Sequence, residues 1–348
     1  MQVMTVLPQE NLNTIPSAAL DAENAGFDMI ASMENRYDPF LPLAVSAVST
    51  NKIKLGTAVA ICFPRSPMVM ANTCWDLQKA SKGRFVLGIG PQIKPHNEKR
   101  FSVPWTSPVP RMREYIQSLR AIWRTWELGE KLEFRGDHYN FTLMTPNFVP
   151  ESNGELPVPI TMAAVGPKML ELAGEVCDGV HLHPFCTRSY MEEVAIPLID
   201  KGLQISSLVR ESFQISGGGF VVTGATDSDV AKAMEWVRYR VAFYGSTPSY
   251  WPVLEHHGLG ELGRKLNAMT KEGLWGKLSD EISDDTLQLF AAMGRYDQLT
   301  EAIKLRFGGC TDMIYSNLSG DKGGALPADL LQDIQNLEVP FENFKKGW

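Results

Sequence analysis

Two histidines stand one residue apart at His181-Leu182-His183. Alternate residues of an extended chain share a face, so both imidazoles are expected on one side of a strand. Two chemistries fit that spacing: a pair of metal ligands, or one imidazole lining a pocket while the other packs inside. Zinc would need a third and a fourth ligand, and the other histidines, His96, His138, His256 and His257, fall in loops or in a helical stretch. The pocket reading, with His183 as a working side chain, is preferred. A second cluster is Glu34-Asn35-Arg36-Tyr37-Asp38. It offers a carboxylate and an amide to a site, or it is an ordinary polar loop whose Asp38 caps the next helix. Gly88-Ile89-Gly90-Pro91 lets a backbone come close to a ligand. Ala163-Ala164-Val165-Gly166-Pro167 leads small residues into a helix start, where free N–H groups and the helix dipole suit a phosphate. A tight strand-to-helix corner needs the same small residues. No P-loop, nucleophile elbow or H-E-x-x-H is present, and the five cysteines show no C-x-x-C. Scattered and odd in number, they read as reduced thiols.

These groups need strands to carry them. Short β-rich runs alternate with helical patterns: strands over 2–7, 28–33, 53–60, 84–90, 158–163, 179–183, 214–222 and 311–316. Between them the spacing predicts helices over 16–25, 39–49, 67–82, 110–128 and 167–176. In the fourth of these, Met112, Tyr115, Ile116, Leu119, Ile122 and Trp123 share one face. Residues 134–141 suggest a hairpin-like flap. The stretch of about 227–306 is too long for one crossover helix and is expected to be a helical insertion. Eight strands alternating with helices define an α/β chain, a (β/α)8 TIM barrel with a helical insertion between strands 7 and 8. No linker divides the sequence, so 1–348 is read as a single domain. In such barrels chemistry gathers at the C-terminal strand ends, which is where all the clusters above fall. The third strand ends on Ala58-Val59-Ala60-Ile61-Cys62-Phe63-Pro64, an apolar surface that suits a flat aromatic ligand or bland core.

Composition narrows the partners. The 348 residues carry 33 Lys and Arg against 40 Asp and Glu, a net charge of −7. A nucleic-acid binder leans the other way. Hydrophobic residues at 44% fill a core, no apolar run reaches membrane-spanning length, and the first residues lack a signal-peptide pattern. A cytoplasmic protein acting on a small-molecule substrate, with no nucleic acid and no membrane, is expected.

Taken in order, the segments resemble the bacterial luciferase-like monooxygenases and their F420-dependent relatives. Ala25-Gly26-Phe27-Asp28 leading to Glu34-Asn35 and Asp38-Pro39-Phe40 is similar to the start of that family. So are Ile53 to Val59 with Arg65-Ser66-Pro67, Ser81 to Gly90, Phe134 to Tyr139, and Ala173 to Val180. The insertion, with Tyr244 to Trp251 and His257-Gly258, resembles the F420-dependent oxidoreductase subgroup.

The resemblance implies a barrel whose mouth holds the deazaflavin coenzyme F420, or alternatively FMN, and a homo-oligomer. It places a non-prolyl cis peptide at Ala58–Val59 behind the ring. Coenzyme contacts fall on Ala58, Val59, Gly90, Pro91, Ala163, Ala164, Val165 and Gly166, and the catalytic side chains on Glu34, Asn35 and His183, with no metal. Many relatives carry His where Asn35 stands, and an amide is no acid or base near neutral pH. Proton delivery would then fall to Glu34, His183 or Tyr37. Sugar-phosphate oxidisers carry a carboxylate after the fourth-strand glycines, where this chain has Pro91-Gln92-Ile93-Lys94. Phe63, Trp105, Phe185, Tyr244 and Trp251 are expected to wall the substrate, and Lys94, Arg100 or Arg65 to meet the acidic tail of F420. The implied activity is hydride transfer between F420 and a small organic substrate. Its alternatives are an FMN-dependent monooxygenase, a metal-dependent hydrolase on His181 and His183, and a non-catalytic coenzyme-binding barrel.

Overall fold

The computed structural model describes residues 1–154, 156–316 and 326–345. All eight expected strands form in it: β1 (Gln2–Val6), β2 (Met29–Ser32), β3 (Lys54–Thr57, resuming at Ala60–Ile61), β4 (Phe85–Gly90), β5 (Ile160–Ala164), β6 (Gly179–Leu182), β7 (Gln214–Gly217) and β8 (Met313–Tyr315). Each pairs in parallel with its sequence neighbour, and β1 with β8 closes the ring. The helices α1 (Ile15–Ala25), α2 (Phe40–Ser49), α3 (Pro67–Ala80), α4 (Pro108–Leu128), α5 (Pro167–Val176), α6 (Ile196–Ser206) and α7 (Tyr296–Phe307) lie outside it, followed by α8 (Ala328–Gln335). The architecture is the (β/α)8 barrel that the alternation of elements dictates.

Alternation sorts each strand. One set of side chains faces the helices and merges into the large core, including Val3, Ile30, Leu55, Leu87, Ile160, Val180, Ile215 and Ile314. The other set fills the barrel: Met4, Met29, Ala31, Val86 and Met313, with Val6, Ala58 and Tyr315 against them. Burial of apolar area on both faces is the main favourable term. On α4 the six residues that share a face by spacing are all buried.

Three aspartates tie the N-terminal pole together by one device. Each precedes a strand and accepts the N–H of a neighbouring strand's early residue: Asp28 from Val3 at 2.8 Å, Asp178 from Ile160 at 2.7 Å, and Asp312 from Ile215 at 2.6 Å. Asp28 and Asp178 belong to motifs that carried the family resemblance, yet they sit at the stability end of the barrel, away from the mouth.

Two boundaries differ from expectation. The run 214–222 is not one strand: Gly217 and Gly218 adopt φ of 80° and 86° and turn the chain out of the barrel. Its second half, Phe220–Gly224, pairs in parallel with Ala291–Arg295 in a separate two-stranded sheet. The insertion is therefore not purely helical. Its helices are Asp227–Gly245, Trp251–His256, Gly260–Lys271 and Asp284–Phe290, and the expected span ends on the barrel's own α7. The flap forms as expected, with Phe134–Arg135 antiparallel to Asn140–Phe141. Glu114 on α4 pins it by accepting the N–H groups of Asp137, His138 and Tyr139 at 3.0, 2.7 and 3.2 Å.

Candidate active site at the barrel mouth

The third strand breaks where an apolar run offers no reason to break. The Ala58–Val59 peptide is cis, and Ala60 and Ile61 then pair again with Ile89 and Gly90 of β4. Glu34, after β2, braces this return. Its carboxylate accepts the Ile61 N–H at 2.7 Å and two contacts from Arg65 Nη1, at 2.7 and 2.9 Å. The same nitrogen donates to the Ile61 carbonyl at 2.9 Å, while Arg65 Nη2 meets Asp38 at 3.2 Å. The Glu34 side chain is only 7% exposed, so its charge is held by a partly buried ion pair. Asp38 also accepts the Phe40 and Leu41 N–H groups at 2.8 and 3.1 Å, the capping role its position suggests. Asn35 and Tyr37 are exposed, and the Asn35 carbonyl accepts from Arg100 at 2.6 Å. Arg65 is thus taken by two carboxylates, and Arg100 by a backbone oxygen. Lys94 is exposed on a short helix beside Glu98.

Glycine on β4 shapes the floor. At Gly88 an added Cβ would lie 1.9 Å from the Thr57 carbonyl oxygen and 3.0 Å from His181 Nε2, so no side chain fits. Thr57 Oγ1 donates to the Gly88 carbonyl at 2.6 Å and accepts its N–H at 2.9 Å, locking β3 to β4 below the break. One layer up, a Cβ at Gly90 would stand 3.1 Å from Val59 Cγ2 and 3.4 Å from Ala163 Cβ. The missing side chain of Gly90 is what lets Val59 and Ala163 close in around it. Pro91 follows half-buried, its carbonyl accepting from Asn97 Nδ2 at 2.8 Å. Beyond β5 the chain runs through Ala164 and Val165 to Gly166, the N-cap of α5. Gly166 has φ of −81°, which any residue adopts, and an added Cβ there would touch nothing within 4 Å. Neither backbone nor packing demands glycine, so what its missing side chain leaves is open space over the helix start.

The two histidines at the end of β6 part company. His181 is buried inside the barrel with both nitrogens engaged, Nε2 with Thr161 Oγ1 at 2.9 Å and Nδ1 with Ser216 Oγ at 2.6 Å. Burial depresses its pKa to about 4. His183, beyond the strand end, accepts the Phe185 N–H on Nδ1 at 3.0 Å, which places the ring hydrogen of the neutral form on Nε2. Burial, and next the nearby charge of Arg240, depress its pKa to about 3. Tyr244 stands edge-on at 4.3 Å between ring centres and Tyr250 lies at 4.5 Å. A narrow cavity beside it is lined by Ala164, Val165, His183, Phe185 and Tyr190 among others. Among the described residues no cluster of three or more His, Cys, Asp or Glu could hold a metal ion.

The aromatic side chains divide likewise. Phe185 is buried, stacked on Phe290 at 4.5 Å, and Trp251 donates to the Gly245 carbonyl at 3.0 Å, so both pack the insertion. Phe63 is buried edge-on to a half-buried Trp105 and under Arg111. Tyr244 packs edge-on against His183. Tyr250, from the Tyr244 to Trp251 segment, also packs against His183, and Arg240, which no sequence signal singled out, donates to the Tyr244 hydroxyl.

Barrel, bulged third strand and small-residue mouth together define a class, and sequence comparison defines the same one. The luciferase-like monooxygenase model matches residues 1–309, and the chain belongs to that family. It is 45% identical over 298 residues to the uncharacterized protein Rv1360 of Mycobacterium tuberculosis, covering 85% of this chain and 87% of that one. It is 32% identical over 303 residues to the 5,10-methylenetetrahydromethanopterin reductase of Archaeoglobus fulgidus, covering 84% and 86%. Among solved structures it resembles the coenzyme F420-dependent tetrahydromethanopterin reductase of Methanopyrus kandleri, with a TM-score of 0.76 at 22% identity over 97% of each chain. No helix among the described residues is long and apolar enough to cross a membrane.

Proposed function

We propose that the protein is an F420-dependent oxidoreductase that transfers hydride between the deazaflavin and a small organic substrate at the C-terminal mouth of the barrel. The observation that carries this reading is the mouth itself: Gly90, lacking a side chain, has only Val59 Cγ2 and Ala163 Cβ close about it at the Ala58–Val59 return, beside a helix start that Gly166 leaves uncovered. A flat tricyclic ring fits the first feature and a phosphate the second. When bound, the coenzyme supplies a ring carbon that gives or takes hydride.

The chain's own groups do the rest. Ala58, Val59, Gly90 and Pro91 flank the ring, while Ala163, Ala164, Val165 and Gly166 lead to the phosphate seat. Glu34 acts through Arg65 and Ile61 as a positioning residue, fixing the return of β3. Its carboxylate oxygens are engaged by the Ile61 N–H and by Arg65. His183 stays neutral with hydrogen on Nε2 and offers a hydrogen bond to a substrate oxygen. Exposed Asn35 binds polar groups without moving a proton. Likeness to the 5,10-methylenetetrahydromethanopterin reductases, and to the coenzyme F420-dependent tetrahydromethanopterin reductase of Methanopyrus kandleri, supports F420 as the first reading. The same barrel in a diketocamphane monooxygenase in complex with FMN, at a TM-score of 0.65, keeps FMN as the second reading.

Side-by-side fluorescence titration of the apoprotein with F420 and FMN tests the reading. Micromolar or tighter F420 binding with FMN ignored supports it. Preference for FMN turns it to an oxygen-using monooxygenase, and binding of neither removes the coenzyme chemistry.

A further inference from the structure

The helix Asp227–Gly245 carries its C-terminal turns against the β6 side of the mouth, and Arg240 there is unlike the arginine two residues before it. Arg238 is paired with Glu235 and Asp284. Arg240 has no carboxylate partner among the described residues. Its guanidinium carbon lies 5.5, 5.7 and 4.7 Å from the ring centres of Trp236, Phe243 and Tyr244. One terminal nitrogen donates to the Tyr244 hydroxyl, and its Nε is buried with no partner. Aromatic faces hold a guanidinium well but do not neutralise it, and a buried N–H without an acceptor is costly.

The neighbours sharpen the point. The Tyr244 hydroxyl accepts from Arg240, so its own proton is available to another group. Tyr250 packs at 5.7 Å from Tyr244. His183, between the two tyrosines, carries its hydrogen on Nε2 because Nδ1 already accepts from Phe185. Burial raises the pKa of both hydroxyls, so they remain protonated. The cluster is rich in donors and contains no carboxylate. Such a set is complementary to an oxyanion, whose charge an arginine meets with paired N–H groups.

We propose that Arg240, assisted by Tyr244, recognises a carboxylate or phosphate oxyanion on the substrate and so sets the specificity of the mouth. The inference rests on the proposed coenzyme reading only for what lies beside that anion, and its test does not need turnover. Two sources carry the required chemistry: the substrate, and the acidic tail of F420.

The probe is benzoate, with benzamide as its neutral isostere, titrated into the apoprotein by calorimetry. Benzoate is expected to bind at least tenfold more tightly than benzamide, and Arg240→Met to abolish that preference. Arg240→Lys should restore part of it, because the charge returns without the fork. Equal binding of the two probes, or a preference that survives in Arg240→Met, overturns the proposal. If Arg240→Met proves unfolded by thermal melting, Tyr244→Phe carries the test, with a several-fold loss for benzoate alone. F420 and its analogue cut back to the ribityl chain separate the sources. Loss of F420 affinity in Arg240→Met with the truncated analogue unaffected assigns the arginine to the coenzyme tail and overturns the substrate assignment. Failure of F420 to bind the wild-type chain removes the coenzyme reading, while the benzoate comparison still decides the role of Arg240.

Discussion

Removing the Glu34 carboxylate should destabilise the protein in a way that removing Arg65 as well partly restores. Glu34 is 7% exposed and Arg65 22%, with contacts of 2.7 and 2.9 Å between them and 2.7 Å to the Ile61 N–H. Glu34→Ala strips two donors, the Ile61 N–H and Arg65 Nη1, of their carboxylate acceptor and leaves Arg65 with Asp38 as its one carboxylate partner, beside the Ile61 carbonyl. Breaking a fully buried pair costs about 3–5 kcal/mol. Partial exposure of Arg65 lowers this, and about 2–3 kcal/mol is expected. With unfolding entropy of about 2.1 cal/mol/K per residue, this chain's 348 residues give a melting shift of roughly 3–4 °C. The assay is a double-mutant cycle by calorimetry. Glu34→Ala/Arg65→Ala should be more stable than the sum of the single losses by about 2 kcal/mol, because it leaves no orphaned cation. Both singles should also weaken coenzyme binding, since the Ile61 return then loses its brace. Single losses that simply add, within about 0.5 kcal/mol, would falsify the claim that Glu34 works through Arg65.

Three further outcomes follow from the same geometry. His181 and His183 have folded pKa values of about 4 and about 3, below the ordinary value of 6.5. The unfolded chain binds their protons first, so stability is complete above about pH 6.5 and falls as pH drops towards 4. At pH 5 the loss is on the order of 2 kcal/mol per histidine, read as a falling denaturation midpoint; NMR signals assigned to the His181 and His183 imidazoles that titrate near pH 6.5 in the native protein would contradict it. Gly88→Ala places a Cβ 1.9 Å from the Thr57 carbonyl oxygen and should cost more than about 3 kcal/mol, whereas Gly90→Ala, with 3.1 Å to a flexible Val59 methyl, should fold and lose mainly coenzyme affinity. A soluble, stable Gly88→Ala protein would refute that packing. Gly166→Ala, at the N-cap of α5, should cost no more than about 1 kcal/mol of stability yet weaken phosphate and F420 binding, and an unchanged affinity would take the phosphate seat elsewhere.

How much of this was legible depended on distance along the chain. The barrel was, because strand alternation and the α4 stripe repeat over many residues and each buries one face. Strand 7 was read too long: Phe220 to Val222 is as apolar as a strand should be, and only the positive φ of Gly217 and Gly218 ends the barrel portion. The Ala58–Val59 position came from family resemblance, since nothing in six small apolar residues marks a break. Glu34 was noticed for its charge, but its partners lie 27 to 31 residues ahead, and only the fold shows that Arg65 serves it rather than an acidic ligand tail. The two histidines were expected on one face, but the strand ends at Leu182 and leaves His183 outside it, and their opposite fates depend on Thr161, Ser216 and the insertion. Nothing in the sequence around Arg240 sets it apart from the other charges of its helix. Its isolation from carboxylates is a tertiary fact.

The most direct test of the central claim is a crystal structure grown with F420. The account predicts density for the deazaflavin ring against Ala58, Val59, Gly90 and Ala163, with its phosphate beside Val165 and Gly166 at the start of α5. A ring bound outside the β3, β4 and β5 ends, or a phosphate remote from that helix start, would contradict it.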